Sequence, residues 1–275
     1  MNAHGASVVI LGGGPGGYEA ALVAAHLGAS VTVVDRDGLG GAAVLTDCVP
    51  SKALISEGDK VCDAPDPSDP VVALAAVNSR VLALAAAQSR DIGARLAADG
   101  VTVLAGAGRL VAGGEVEATL ADGSVQSLSA DVVLVATGAT PRVMPTAQPD
   151  GERILTWQQI YSLTEIPEHL VVVGSGVTGA ELAQAYLSLG ARVTLVSSRD
   201  RVLPGEDADA ASVIEDVFRK RGMEVLGRSR MAAVTRTPTG DGVVVRLEDG
   251  REVEGSHALL AVGSVPQTAG IGLAE

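Results

Sequence analysis

Two glycine-rich turns, a cysteine with a lysine four residues on, and a glutamate beside the second turn are the residues whose types and spacing could do chemistry. The turns read Gly12-x-Gly14-x-x-Gly17 and Gly174-x-Gly176-x-x-Gly179, each directly after an apolar strand pattern and directly before a helical one. Gly12 and Gly174 permit a tight turn, Gly14 and Gly176 let the backbone approach a pyrophosphate, and Gly17 and Gly179 let helix and strand pack closely. The helix that follows offers unpaired N–H groups and the positive end of its dipole to the phosphates. A single such turn would be explained as well by an ordinary strand–helix joint. Two in register, each with an alanine four residues past the last glycine (Ala21 and Ala183), point to two dinucleotide sites.

The end of the second strand separates the two sites. Asp35 lies 18 residues after Gly17, where a carboxylate accepts hydrogen bonds from ribose hydroxyls. At the same offset after Gly179 stands Ser197, followed by Ser198, Arg199 and Arg201. A carboxylate there would repel a 2′-phosphate, and serine with arginine nearby would not. The second site is therefore expected to accept NADPH at least as readily as NADH. The alternative is that both arginines are solvated surface charges.

The elements that must position these residues occur twice, at an offset of 162 residues. Beyond the glycines, Glu19 matches Glu181, Leu27-Gly-Ala29 matches Leu189-Gly-Ala191, and Val31-Thr-Val-Val34 matches Val193-Thr-Leu-Val196. Each copy reads as strand, glycine turn, amphipathic helix and second strand, a βαβ unit. Each is followed by a hairpin signal, Asp122-Gly123 or Asp249-Gly250, and by a closing apolar strand, Val132 to Ala136 or Leu259 to Val262. Val143 to Glu168, with Pro145, Pro149 and Pro167, reads as a linker. A second punctuated stretch, Asp63 to Pro70, precedes a long helix from about Val71 to Ala98. The expected fold is α/β, with two Rossmann-like three-layer units in tandem, residues 1–149 and 150–266.

Composition agrees with that class. Hydrophobic residues make up 47% of the chain, yet it has one Phe, one Trp and three Tyr, so Val, Ala and Leu must do most of the packing. A net charge of −13, no run of Lys and Arg and few rings speak against nucleic-acid binding. No stretch reads as a signal peptide or a membrane span, and no metal site is expected. Two cysteines are too few for a disulfide scaffold, so a reducing cytoplasm is the expected setting.

Gly40-Gly-Ala-Ala43-Val-Leu-Thr-Asp-Cys48-Val-Pro-Ser-Lys52 resembles the redox-active segment of the pyridine nucleotide–disulfide oxidoreductases, which usually reads GGTCxxxxCxPxK. The resemblance extends through Ala136-Thr137-Gly138, the second glycine turn and Val262-Gly263, and so covers the whole chain; it implies an FAD-binding domain over 1–149, an NAD(P)-binding domain over 150–266 and the start of a return to the FAD domain over 267–275. It implies FAD held by Gly12, Gly14, Gly17, Asp35, Gly41, Lys52 and Ala136-Thr137-Gly138, and NAD(P)H held by Gly174, Gly176, Gly179, Glu181, Ser197, Arg199 and Gly263. It also implies an ion pair of Lys52 and Glu181 near flavin N5, where a buried cation stabilises the anionic reduced ring; the alternative for Glu181 is an exposed first-turn glutamate.

One departure matters most. Ala43 replaces the first cysteine of the family's redox pair, leaving Cys48 as a lone thiol, and Cys62 reads as a packed or surface cysteine. Thiol–disulfide exchange is then not expected. The chain most resembles the disulfide-deficient members, lipoamide dehydrogenase homologues that act as NAD(P)H:quinone reductases. That match includes Gly41 to Leu45, Ile154-Leu-Thr-Trp157 and Glu254 to Leu259. Hydride would pass from nicotinamide to flavin and on to a quinone. Val177 stands where the family has an aromatic gate. The family's third FAD motif and its dimerisation domain are absent, so FAD binding is expected to be weak, and the family's homodimer loses its ground in this chain. Dihydrolipoyl dehydrogenase activity and a silent dinucleotide-binding module are the rival readings.

Overall fold

The computed structural model describes residues 5–62, 73–111 and 114–273. The apolar runs flanking each glycine turn lie side by side as parallel strands. β1 (Ser7–Leu11) sets Val8 opposite Val31 of β2 (Ser30–Asp35), with α1 (Pro15–His26) connecting them. By contacts the chain divides into two compact units. One takes the residues up to Val49, Ala83–Thr140 and those from Val265 on; the other takes Pro50–Leu82 and Pro141–Ser264.

In the first unit, β3 (Thr102–Leu110) adds parallel to β2, and β6 (Val132–Val135) adds parallel to β1. The second half of β3 pairs antiparallel with β4 (Glu115–Leu120), which pairs with β5 (Val125–Ser129) across the Asp122-Gly123 turn. The order is β5-β4-β3-β2-β1-β6. Alternation along β1 serves two cores at once. Ile10 packs with Val33, Ala21 of α1 and Leu96 of α4 (Leu74–Ala98) on one face. Val9 and Leu11 pack with Val34, Val116 and Ala118 on the other. The redox segment forms α2 (Gly41–Leu45) and the start of α3 (Cys48–Cys62). β7 (Ala139–Pro141) pairs with β16 (Ser264–Pro266).

The second unit is built around a wholly parallel five-stranded sheet. β8 (Ile154–Thr156), β9 (His169–Val173), β10 (Arg192–Val196), β11 (Glu224–Leu226) and β15 (His257–Leu260) stand in the order β11-β10-β9-β15-β8. All five residues of β9 are buried. That burial is why this strand reads as a continuous apolar run instead of an alternating one. α5 (Val177–Ser188) buries Ala180, Leu182, Ala183, Ala185 and Tyr186, and α6 (Ala208–Lys220) buries Ala211 and Phe218. A separate antiparallel sheet of β12 (Met231–Arg236), β13 (Val243–Leu247) and β14 (Glu252–Gly255) packs Val234, Val243 and Val245 against Val171 and Val173.

Val143 to Glu168 is not a linker. Ile154, Leu155, Thr156, Trp157, Ile160 and Tyr161 are buried, and β8 completes the second sheet. The prolines misled because the structured part lies between them. Its start is pinned by Asp150, whose Oδ1 accepts from the N–H groups of Glu152, Arg153 and Ile154 at 2.8, 2.8 and 2.9 Å. Oδ2 accepts from Arg236 Nε at 2.7 Å. Residues 50–62 and 73–82 also group with the second unit. The long helix begins at Leu74; its expected start, the stretch 63–70 and the side chain of Cys62 lie outside the described residues.

Candidate functional site

Each glycine turn is forced by backbone meeting backbone. Gly12 has φ +103° and Gly174 φ +112°, and a Cβ on either would collide with the carbonyl of Ala136 or Ala261 at the end of the neighbouring strand. A Cβ on Gly17 or Gly179 would strike the carbonyl oxygen of Gly12 or Gly174. α1 and α5 then start at Gly14 and Gly176 with no side chain capping them. By contrast α6 carries its own cap, Asp207, whose carboxylate accepts from Asp209 N and Ala210 N at 3.0 and 3.1 Å. The starts of the two glycine-loop helices are left without a side-chain acceptor, an arrangement that suits an anion.

The repeat extends to hydrogen bonds. Asp35, at the end of β2, accepts from Gly13 N at 2.6 Å, Asp37 N at 3.0 Å and Gly38 N at 2.5 Å. Ser197, after β10, shares a 2.7 Å hydrogen bond with Ser175 Oγ and accepts from Arg199 N at 3.1 Å. Ser175 and Arg199 are the counterparts of Gly13 and Asp37 in the repeat. The tie to the second residue on is the same in both copies, whereas the tie to the glycine turn runs to the Gly13 N–H in one and to the Ser175 hydroxyl in the other.

Each unit has a cavity at its turn. In the first, about 310 Å³ is lined by Gly12, Asp35, Arg36, Gly108, Thr137 and Gln267 among others. In the second, about 570 Å³ is lined by the Gly174–Gly176 turn, Val177, Ser198, Arg199, Gly263 and their neighbours. Ser197 is fully buried and does not line this cavity. The expectation that it faces the ligand is therefore corrected: its hydroxyl is spent on Ser175, and Ser198 is the serine at the wall. Arg201 also turns away, with its Nε buried and its carbonyl within 3.4 Å of Ser197 Oγ. Arg199 lines the cavity.

In the redox segment, Gly41 at φ +55° comes close to the first turn; a Cβ on it would lie 2.7 Å from Gly14 Cα. Ala43 sits in α2, and Cys48 is an exposed thiol at the first residue of α3. Lys52, one helical turn on, reaches Glu181 of α5, with Nζ 2.6 Å from Oε1; its side chain is 60% exposed, so it is not the buried cation expected. Ser51 Oγ donates to Oε2 of the same carboxylate at 3.0 Å. Glu181 is thus a doubly held, largely buried partner instead of a solvated first-turn charge. Val177 is 53% exposed beside the second turn, so no aromatic ring covers the cavity there.

Against known families, residues 6–275 match the pyridine nucleotide-disulphide oxidoreductases. The chain belongs to that family. An NAD(P)H dehydrogenase (quinone) of Mycobacterium tuberculosis is 55% identical over 97% of this chain and 57% of its own length. A dihydrolipoyl dehydrogenase of Chlorobaculum tepidum is 36% identical over 97% of this chain and 59% of its own. Among solved structures, LpdA of M. tuberculosis superposes with a TM-score of 0.92 at 55% identity, covering 98% of this chain and 61% of that one. The flavoprotein disulfide reductase RclA of Escherichia coli shares the fold, with a TM-score of 0.82 at 21% identity over 96% of this chain and 57% of that one. The chain spans about three-fifths of the length of these relatives.

For a pyridine nucleotide-disulphide oxidoreductase the second cavity holds residues that sequence reading passed over. Arg142, Met144, Trp157 and Arg230 all line it. The signal for them lies in strand order. With β9 central, loops after β10 and β11 fall on one side of the Gly174 turn and loops after β15 and β8 on the other. Only the loop after β10 is local enough to β9 to be marked by the fingerprint. No helix among the described residues is long and apolar enough to cross a membrane.

Proposed function

We propose that this chain is the dinucleotide-binding part of an FAD-dependent NAD(P)H dehydrogenase that passes electrons to a quinone-type acceptor in the cytoplasm. The observation that carries the reading is the second cavity, which combines a glycine turn, an uncapped helix start and three arginines. Its volume of about 570 Å³ is in the range of cofactor sites. A dinucleotide would lay its pyrophosphate on Gly174–Gly176 and its adenosine toward Ser198 and Arg199, with the nicotinamide toward Arg142 and Trp157. The wall at Ser198 and Arg199 carries no carboxylate, which admits a 2′-phosphate.

The first cavity, of about 310 Å³, suits the adenosine end of FAD. Gly12 gives the cavity a backbone wall that would admit a phosphate, and Asp35 borders it beside that wall. When bound, FAD would supply the electron carrier between nicotinamide and acceptor. The chain's own residues bind and orient: within the second unit, Glu181 holds the Lys52 ammonium in a fixed position. Ala43 withholds the second thiol that disulfide exchange would need, and the 55% identical relative is named for quinone reduction. Both favour a quinone over lipoamide.

Trp157 is the only tryptophan and lines the cavity, so its fluorescence reads cofactor binding directly. Titration with NADPH or NADH should quench it, with energy transfer to the reduced nicotinamide. FAD-loaded protein should then oxidise NADPH in the presence of a benzoquinone. Quenching without any NADPH oxidation would leave a binding module and overturn the enzymatic reading.

A further inference from the structure

Arg230 belongs neither to the glycine turn nor to the loop after β10, yet it lines the larger cavity together with Arg199. A strained turn puts it there. Between β11 and β12, Arg228 has φ +52°, in the left-handed region that non-glycine residues rarely occupy. Backbone bonds hold the turn: Ser197 N donates to Leu226 O at 2.9 Å, Arg228 N to Arg199 O at 2.6 Å and Ser229 N to Ser197 O at 2.7 Å. Arg251 adds a tie by donating to Ser229 Oγ at 2.6 Å. The loops after β10 and β11 therefore form one stitched ledge, with Arg199 on one loop and Arg230 on the other. Strain that the surroundings hold in place is a feature of ligand clamps.

The Arg230 side chain has only a loose partner. Its Nε is 3.8 Å from Glu248 Oε2, and the two side chains are 65% and 62% exposed. A pair this open is screened and easily given up. Arg142 is committed elsewhere, donating to Ser264 O at 3.2 Å. No Asp or Glu is among the described residues lining the cavity, in a chain of net charge −13.

We propose that Arg230 is a specificity-determining residue. With Arg199 it forms a two-guanidinium seat for a phosphate monoester on the adenosine side of the ligand, and Glu248 competes with that phosphate for it. Two guanidinium groups from separate loops can embrace a dianion from two directions, which a single arginine cannot. The inference rests on reading the cavity as the NAD(P)H site.

The test is a Trp157 fluorescence titration of the wild type, Arg230→Gln and Glu248→Gln with NADPH and with NADH. Arg230→Gln should weaken NADPH about tenfold, the loss of one charge-assisted hydrogen bond, and NADH by less than about twofold. Glu248→Gln should act with the opposite sign, tightening NADPH by roughly two- to threefold and leaving NADH unchanged. Equal weakening of both nucleotides by Arg230→Gln, or no change in NADPH, would overturn the proposal while leaving the cavity reading intact. A wild-type chain that binds neither nucleotide would overturn that reading, and the proposal with it.

Discussion

Ser197 and Ser198 are adjacent and identical in type, yet they do different work. Ser197 Oγ is buried against Ser175, so Ser197→Ala leaves a buried hydroxyl short of a partner and should cost about 1–3 kcal/mol of stability. Ser198 faces the cavity, and Ser198→Glu should leave stability unchanged but raise the Kd for NADPH roughly tenfold more than that for NADH. A new carboxylate facing a phosphate is worth on the order of 1 kcal/mol or more near a surface. Paired nucleotide titrations and denaturant melts check both; equal effects on the two nucleotides from Ser198→Glu would refute the assignment. Asp150 makes a third case. Burial alone would raise its carboxyl, but the N–H groups of Ile154 and Glu152, the Arg236 guanidinium and Arg153 N–H outweigh it and hold it at about 2. A depressed carboxyl stabilises the fold above its unfolded value of 3.8 and loses that contribution as pH falls toward 2. Asp150→Asn should therefore cost on the order of 2 kcal/mol at neutral pH and little at pH 2, as measured by urea unfolding at both. His169 is pushed down as well, by burial first and then Arg192, which for an imidazole favours the neutral form.

At the scale of elements, the glycine turns are the firmest point. Gly174→Ala must accommodate both a left-handed backbone and a collision with the Ala261 carbonyl. It should cost at least about 2 kcal/mol and abolish NADPH binding; a variant that melts and binds as the wild type does would contradict the geometry. These turns, β1 and β2, β9 and β10, and the helices between them were legible in the sequence, because each is a local pattern repeated at a fixed offset. The hairpins were legible because Asp122-Gly123 and Asp249-Gly250 carry their own turn chemistry. β8 was not: three residues among prolines give no period, and its identity comes from pairing with β15, a hundred residues away. The same reason hid Arg230, which reaches the cavity through a left-handed turn at Arg228 that nothing in an Arg-Ser-Arg string announces. Ser197 was placed correctly along the chain and wrongly in orientation. Offset counting gives the position of a residue at a strand end, not which way its side chain turns.

The whole molecule consists of two units with separate cores, one built around Ile10, Val33 and Leu96 with Val9, Leu11 and Val116, the other around Val171, Val243 and Val245. The larger cavity is lined only by residues between 142 and 264, all in the second unit, and the smaller one only by residues of the first. A ligand that binds the native state raises stability by RT ln(1 + [L]/Kd), about 2.7 kcal/mol at a hundredfold excess over Kd. That gain belongs to the cooperative unit that holds the ligand, and a chain with two cores need not unfold in one step. Scanning calorimetry should accordingly resolve two transitions. NADPH should move one of them upward and leave the other in place, whereas FAD should move the second. Arg230→Gln should shrink the NADPH shift without touching the FAD shift. A single transition raised equally by either nucleotide would mean that the two units unfold as one and that the division by contacts has no energetic counterpart.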